Sequence, residues 1–144
     1  MPEASHAAAR GADAYRECLV QLGAEGHLVG TLVQPTGPSA SVGVLFVNAG
    51  VIHRIGPHRI HVKIGRVLAQ DGVPSLRLDL TGLGDSGRAG GTDGMLAQVR
   101  RDIRAALDLL AERTGLSRFV IIGICSGAEY GYQYALEDER VAGL

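Results

Sequence analysis

The sequence is poor in cysteine, in aromatic residues and in long apolar runs. Its 144 residues include two cysteines, four tyrosines, two phenylalanines and no tryptophan. Two cysteines are too few for the disulfide framework of a small secreted domain, so we expect a cytoplasmic protein. The N-terminus has no apolar core of signal-peptide length, and the longest apolar run, Phe119 to Cys125, is too short to span a bilayer.

The chain also lacks an excess of either charge. Charged residues make up 20% of the sequence, yet the formal net charge is -1. Nucleic acids and anionic membranes both favour strongly basic surfaces, so we expect neither as a partner. The 46% of hydrophobic residues suffices for one buried core. We therefore predict a single domain over residues 14–144, preceded by a disordered N-terminus over residues 1–13.

Continuous apolar runs alternate with segments of helical periodicity. A run such as 42–50, apolar at nearly every position, is typical of a strand buried on both faces of a parallel sheet. Strands alternating with helices predict an α/β fold with a mostly parallel sheet flanked by helices. The expected elements are a hairpin over 15–33, strands over 42–50, 74–80 and 118–125, helices beginning at Pro57, near Leu96 and at Ser126, and a last strand opening near Val141.

The first helix after Pro57 is expected to bury one apolar face. Ile60, Ile64, Val67 and Leu68 recur at helical spacing and predict that face. The basic residues of the same segment are interpreted as a solvated surface; they are Arg59, Lys63 and Arg66.

The sequence Gly123-Ile124-Cys125-Ser126-Gly127 lies between a predicted strand and a predicted helix. This small-x-nucleophile-x-small pattern is typical of a nucleophile elbow, in which a strained turn pushes the central side chain out above the sheet. The neighbours two before and two after must lack bulk, and Gly123 and Gly127 meet that requirement. Cys125 is therefore the predicted nucleophile.

Ser126 is a second possible nucleophile, but its spacing is wrong. With Ser126 at the centre, the position two before would be the β-branched Ile124. The backbone N–H of Ser126 is instead expected to supply one half of an oxyanion hole for Cys125. A glycine-flanked cysteine at a strand end can also be a small buried residue, and the strand–turn–helix context weighs against that reading.

The second oxyanion donor is expected from the turn that follows the 42–50 strand. Either Gly50 or Val51 could offer its backbone N–H there, although the segment also fits an ordinary strand-to-helix turn. His53 is a candidate base. It, Arg54 and His58 are interpreted as solvated or capping residues near the mouth of the site.

Gly82, Gly84 and Gly87 match the GxGxxG spacing of dinucleotide-binding loops. That fingerprint requires the third glycine to open a helix that receives the pyrophosphate. Here more glycine-rich loop follows up to Gly94, so we expect no dinucleotide, and we expect no other cofactor and no metal.

With these residues in view, the sequence from about Tyr15 onward resembles the N-terminal half of an α/β-hydrolase of the serine-aminopeptidase-like group. The resemblance rests on the NAG turn, on DLTGLGDS after the next strand and on GICSGA. HRIGPHR together with GICSGA is most similar to hydrolases associated with exosortase systems. The resemblance implies hydrolysis of a small-molecule ester or thioester through Cys125.

The resemblance fails after the elbow, because this family places an acid and then a histidine downstream of the nucleophile. All five histidines of this chain precede Cys125. We therefore expect a fold truncated after the elbow, with weak or no turnover. Either the 144 residues are a fragment or a truncated gene product, or a partner supplies the rest of the fold. The alternative is a non-catalytic module that associates through an incomplete sheet edge.

Overall fold

The computed structural model describes residues 14–144, so the expectation for residues 1–13 lies outside the described residues. Six strands and three helices are arranged along this part of the chain. In order they are β1 (Tyr15–Leu22), β2 (Leu28–Pro35), β3 (Gly43–Phe46), α1 (Ile60–Gln70), β4 (Ser75–Asp79), α2 (Met95–Thr114), β5 (Phe119–Ile122), α3 (Ser126–Ala135) and β6 (Val141–Gly143).

All six strands form one sheet in the order β1-β2-β4-β3-β5-β6. The β1–β2 and β2–β4 pairs are antiparallel, whereas β4, β3, β5 and β6 are mutually parallel. Each parallel neighbour is reached through a connection that contains a helix, as parallel strands require. The predicted α/β fold with a mostly parallel sheet is confirmed.

One face of the sheet is an apolar core beneath α2 and α3. Leu76 and Leu78 on β4 contact the same buried cluster as Ile103 and Leu107 on α2. The apolar side chains of α2 are buried from Val99 onward, although Leu96 is exposed. Successive side chains of a strand point to opposite faces, so Ser75 and Arg77 face the other layer.

That other layer is α1, and its buried face differs from the predicted one. The expected residue Val67 is 57% exposed, and Ile60, Ile64 and Leu68 are only partly buried. The buried side of α1 consists of His61, Val62, Gly65 and Ala69. Small residues on this side let the helix approach the sheet: a Cβ on Gly65 would lie 3.2 Å from the Ser75 hydroxyl and 3.4 Å from the Arg77 guanidinium. The predicted stripe was wrong because helical spacing alone cannot distinguish a close-packed face of small residues.

The start of α1 also differs from the prediction. Pro57 opens a single 3-10 turn, Pro57–Arg59, and the α-helix begins only at Ile60. The cause is local: His58 and Arg59 have φ of 50° and 60°, a left-handed conformation that L-residues adopt at a cost.

The layer between α1 and β4 is polar and tightly enclosed. The side chains of His61, Ser75 and Arg77 are almost completely buried, and polar atoms of each lack a hydrogen-bond partner. An Arg77 nitrogen lies 3.7 Å from Glu17, which also pairs with Arg66 at 2.8 Å. Arg66 is therefore paired with a carboxylate, whereas Arg59 and Lys63 are exposed as expected.

His61 should make the stability of the fold depend on pH. Burial lowers the pKa of this imidazole, and the positive charge of Arg77 acts in the same direction. The unfolded chain therefore takes up a proton below pH of about 6.5 that the folded chain resists. The free energy of unfolding should fall as the pH decreases below that value, by up to about 1.4 kcal/mol per pH unit.

Urea denaturation across pH 5–8 of the wild type and of His61→Asn measures this contribution. The variant should lose part of the slope below pH of about 6.5. His58→Asn makes the same change at an exposed histidine and is the matched control. Equal slopes in the wild type and both variants would contradict the assignment.

None of the helices in residues 14–144 is long and apolar enough to cross a membrane.

Candidate active site

Three loops leave the sheet at the same edge. The strands β3, β4 and β5 are parallel neighbours, so their carboxyl ends lie side by side. In open α/β sheets this is the edge where ligands bind. The loops are 47–56 after β3, 80–94 after β4, and 123–125 between β5 and α3.

The turn between β5 and α3 has the geometry of a nucleophile elbow. Cys125 has φ 58° and ψ -124° and directly precedes the first residue of α3, and its side chain is exposed. A non-glycine residue in such a conformation stores about 1–3 kcal/mol of strain, which persists only where the surroundings enforce it.

The two elbow glycines show what enforces this conformation. A Cβ on Gly123 would overlap the backbone of Gly127 and Ala128, and a Cβ on Gly127 would overlap the carbonyl oxygen of Asn48. The backbone on the two sides of the elbow is therefore in close contact, and the elbow also packs against the chain that leaves β3. Both predicted glycine requirements have a steric basis.

The loop after β3 lies against the elbow and donates one N–H to it. The Gly50 N–H donates a hydrogen bond to the Ser126 hydroxyl oxygen at 3.0 Å. Gly50 has φ 58°, which favours glycine. Within residues 14–144 the N–H groups of Ser126 and of the exposed Val51 have no acceptor. The structure thus brings Ser126 and Gly50 together beside Cys125.

The loops after β3 and β4 are joined by one buried carboxylate, Asp79. It accepts hydrogen bonds from the Asn48 side chain at 3.0 Å and from the Arg54 backbone N–H at 2.7 Å. The Arg54 guanidinium adds a bond of 2.6 Å, and the Asp85 N–H adds one of 3.1 Å. Asp79 is fully buried, so these donors replace the water that its charge would otherwise require.

Arg54 is the cation at the centre of this cluster. Its Nη1 atom lies 2.6 Å from Asp79, 2.8 Å from Asp85 and 2.8 Å from the His53 Nε2. Burial acts to lower the pKa of Arg54, but the hydrogen bonds to the two carboxylates raise it above its ordinary value. His53 and Arg54 together hold the pKa of Asp85 below its usual range.

The same cluster has the composition of a metal site. Ligand atoms of His53, Asp79 and Asp85 lie within 4.8 Å of one another. The Arg54 guanidinium, however, already contacts all three and supplies the positive charge that the carboxylates need. The residues present therefore do not fit a metal ion.

The sequence interpretation placed Arg54 among solvated or capping residues, and it was wrong. Arg54 is 7% exposed and is the main partner of a buried acid. One feature of the sequence could have indicated this burial. Asp79, at the end of the next parallel strand, brings a negative charge to the same edge of the sheet. His53 is partly exposed, and its Nε2 atom lies 3.0 Å from the Asp85 carboxylate. Within residues 14–144 neither His53 nor any other residue hydrogen-bonds the Cys125 sulfur.

The glycine-rich loop after β4 has a structural role. Gly84 has φ 51°, and a Cβ there would overlap the Asp79 carboxylate. The Gly82 N–H closes the turn by donating to the Gly87 carbonyl at 2.9 Å. No helix opens at Gly87, because α2 begins at Met95. The arrangement that a dinucleotide would need is not formed.

The sheet order, the parallel strands and the strand–elbow–helix turn together define the α/β-hydrolase fold. The expected resemblance to α/β-hydrolases is confirmed for the fold. The more specific resemblance to exosortase-associated hydrolases stays a prediction.

Several solved hydrolase structures are similar to this chain. An esterase of Pyrococcus furiosus superimposes with a TM-score of 0.68 at 18% identity, covering 92% of this chain and 48% of its own. An esterase from an Arctic intertidal metagenomic library has a TM-score of 0.66 at 21% identity and covers 88% and 57%. An α/β serine hydrolase homologue from Coxiella burnetii has a TM-score of 0.61 at 20% identity and covers 83% and 56%.

The chain thus spans about half the length of the structures it matches. No family model matches the sequence. No curated protein matches it either.

Substitution of Gly127 should disrupt the elbow. In Gly127→Ala the new methyl group meets the Asn48 carbonyl, so the turn and the end of β3 must separate. We expect a loss of roughly 3 kcal/mol in the free energy of unfolding, measured by urea denaturation. Gly37→Ala is the control, since a Cβ at Gly37 has nothing within 4 Å. Equal stability of the two variants would show that the contact is not tight.

Asp79 and Asp85 provide a matched pair of carboxylates that share one Arg54 nitrogen. Asp79→Asn leaves the buried guanidinium without its main counter-charge, so we expect a loss of about 3 kcal/mol in the free energy of unfolding. Asp85 is 60% exposed in its side chain, and Asp85→Asn should change stability little. Urea denaturation of both variants tests this, and a larger loss in Asp85→Asn would refute the assigned roles.

Proposed function

We propose that this chain carries an esterase- or thioesterase-type acyl-transfer site whose nucleophile is Cys125. The proposal depends mainly on the left-handed backbone of Cys125, held at a strand–helix junction by two glycines that admit no side chain. Strain of this kind is concentrated at functional sites. The hydrolase names of the similar structures support the same reaction class.

The proposed reaction begins with attack of the Cys125 sulfur on an ester or thioester carbonyl carbon. A tetrahedral intermediate forms, and its oxyanion is stabilised by the N–H of Ser126 with help from the loop at Gly50 or Val51. Collapse expels the alcohol or thiol, which takes the proton lost by the Cys125 thiol, and leaves a thioester on the enzyme. Water then releases the carboxylic acid and restores the thiol.

The surroundings of the elbow suit a small substrate with an apolar acyl group. Ile124, next to the nucleophile, and Val51, next to Gly50, are both exposed. Apolar walls around a few polar donors are typical of small-molecule sites.

In a polypeptide of these 144 residues, the second half of the reaction should be slow. Deacylation needs a base to activate water, and histidine is the usual one. All histidines of the sequence precede Cys125, and the side chain of His53 is engaged with Asp85 and Arg54. The proposal is therefore rapid acylation followed by accumulation of the acyl-enzyme.

Brief exposure to p-nitrophenyl acetate, followed by intact-mass measurement and peptide mapping, tests the proposal. Cys125 should be acetylated at least about tenfold faster than Cys18, because the proposed oxyanion donors lie beside Cys125. Cys18 is also free and exposed, so it serves as an internal control. Cys125→Ala should abolish the fast phase, and Cys18→Ala should leave it intact.

A non-catalytic binding module is the second candidate. The edge strand β6 pairs with β5 on one side, and no strand of 14–144 pairs with its other side. Near it, Leu136 and Leu144 are 71% and 62% exposed. Concentration-dependent dimerisation combined with equal acetylation of Cys18 and Cys125 would favour this candidate over the acyl-transfer site.

A further inference from the structure

The hydrogen bond between the loop after β3 and the elbow is made to a side chain. The sequence predicts that the Gly50 or Val51 N–H points directly at the reacting oxygen. In the structure the Gly50 N–H instead donates to the Ser126 hydroxyl oxygen at 3.0 Å. Ser126 is the residue that follows the nucleophile, and its side chain is half-buried.

The Ser126 hydroxyl keeps its own proton available. A serine hydroxyl has two acceptor lone pairs and one O–H donor, and the Gly50 bond uses one lone pair. In short helix turns serine often donates back to a preceding carbonyl, but within residues 14–144 no acceptor takes the Ser126 proton. The hydroxyl is therefore held in place as an acceptor and remains unused as a donor.

We propose that the Ser126 hydroxyl is itself an oxyanion donor, oriented and polarised by the Gly50 N–H. The inference rests on the proposed acyl-transfer function of Cys125. Within residues 14–144 the Ser126 N–H also lacks an acceptor, so the residue that follows Cys125 carries two donors without acceptors. The bond from Gly50 strengthens the second donor, since hydrogen bonds in a chain polarise one another. Gly50 thus acts through Ser126.

The alternative role of the Ser126 hydroxyl is to block the position of the oxyanion. That role predicts the opposite change in the acylation rate. If the hydroxyl merely occupies the place of the oxyanion, its removal frees the Gly50 N–H and acylation accelerates. If the hydroxyl is a donor, its removal slows acylation. The two roles therefore differ in the sign of one rate change.

The test compares two reactions of Cys125 in the full chain. Acetylation by p-nitrophenyl acetate passes through an oxyanion, whereas alkylation by iodoacetamide displaces iodide at a saturated carbon and forms none. Both rates are followed by intact mass and peptide mapping. Ser126→Ala should lower the acetylation rate at least about tenfold and affect the alkylation rate far less. Ser117→Ala, a change at an exposed serine before β5, should alter neither rate.

A second pair of variants controls for a local change in the fold caused by the substitution. Ser126→Thr and Ser126→Val have nearly the same shape and differ in the hydroxyl group. The Thr variant should be acetylated at least about tenfold faster than the Val variant, at similar alkylation rates. Such a difference would not follow from packing alone.

The outcomes separate the inference from the function on which it rests. Unchanged or faster acetylation in Ser126→Ala, or equal rates for the Thr and Val variants, would overturn the hydroxyl as a donor and leave Cys125 as the nucleophile. Absence of preferential Cys125 acetylation in the wild type would overturn the proposed function and the inference with it.

Discussion

The arrangement of the site depends on one buried negative charge, Asp79. This carboxylate lies at the end of β4 and is completely enclosed. It is stable there because it accepts hydrogen bonds from the loop after β3, through Asn48 and Arg54, and from its own loop at Asp85. A buried charge that lost these donors would cost several kcal/mol. The two loops are therefore held together, and the position of the loop after β3 follows from that constraint.

Asn48 transmits this constraint to the elbow. Its side chain bonds to Asp79, to the Ile52 carbonyl at 2.8 Å and to the Leu80 N–H at 2.7 Å. Its backbone carbonyl is the atom against which Gly127 packs. One residue thus connects the buried charge cluster with the turn that holds Cys125. The strain at Cys125 persists because these contacts leave the turn no room to relax.

The order of strands and helices, the elbow and its two glycines could all be predicted from the sequence. These features depend on local steric rules, and Gly123 and Gly127 show such a rule directly. The buried face of α1 and the role of Arg54 could not. His61 and Gly65 face the sheet because Arg77 and Ser75 lie opposite them, and Arg54 is buried because Asp79 is. Both outcomes depend on partners distant in the sequence, which a periodic pattern does not reveal.

The loop after β3 shows the same limit at the level of single atoms. Its location follows from the fold, and the sequence predicts Gly50 or Val51 as its N–H donor. The direction of the Gly50 N–H is decided by a hydroxyl 76 positions away in the sequence. Because the loop is held by Asn48 and Asp79, and the elbow by Gly127, neither partner of that bond can move independently. Ser126 therefore adds a polar connection where the glycines already allow close backbone contact. In the proposed mechanism both donors of Ser126, its N–H and its hydroxyl, act at this edge.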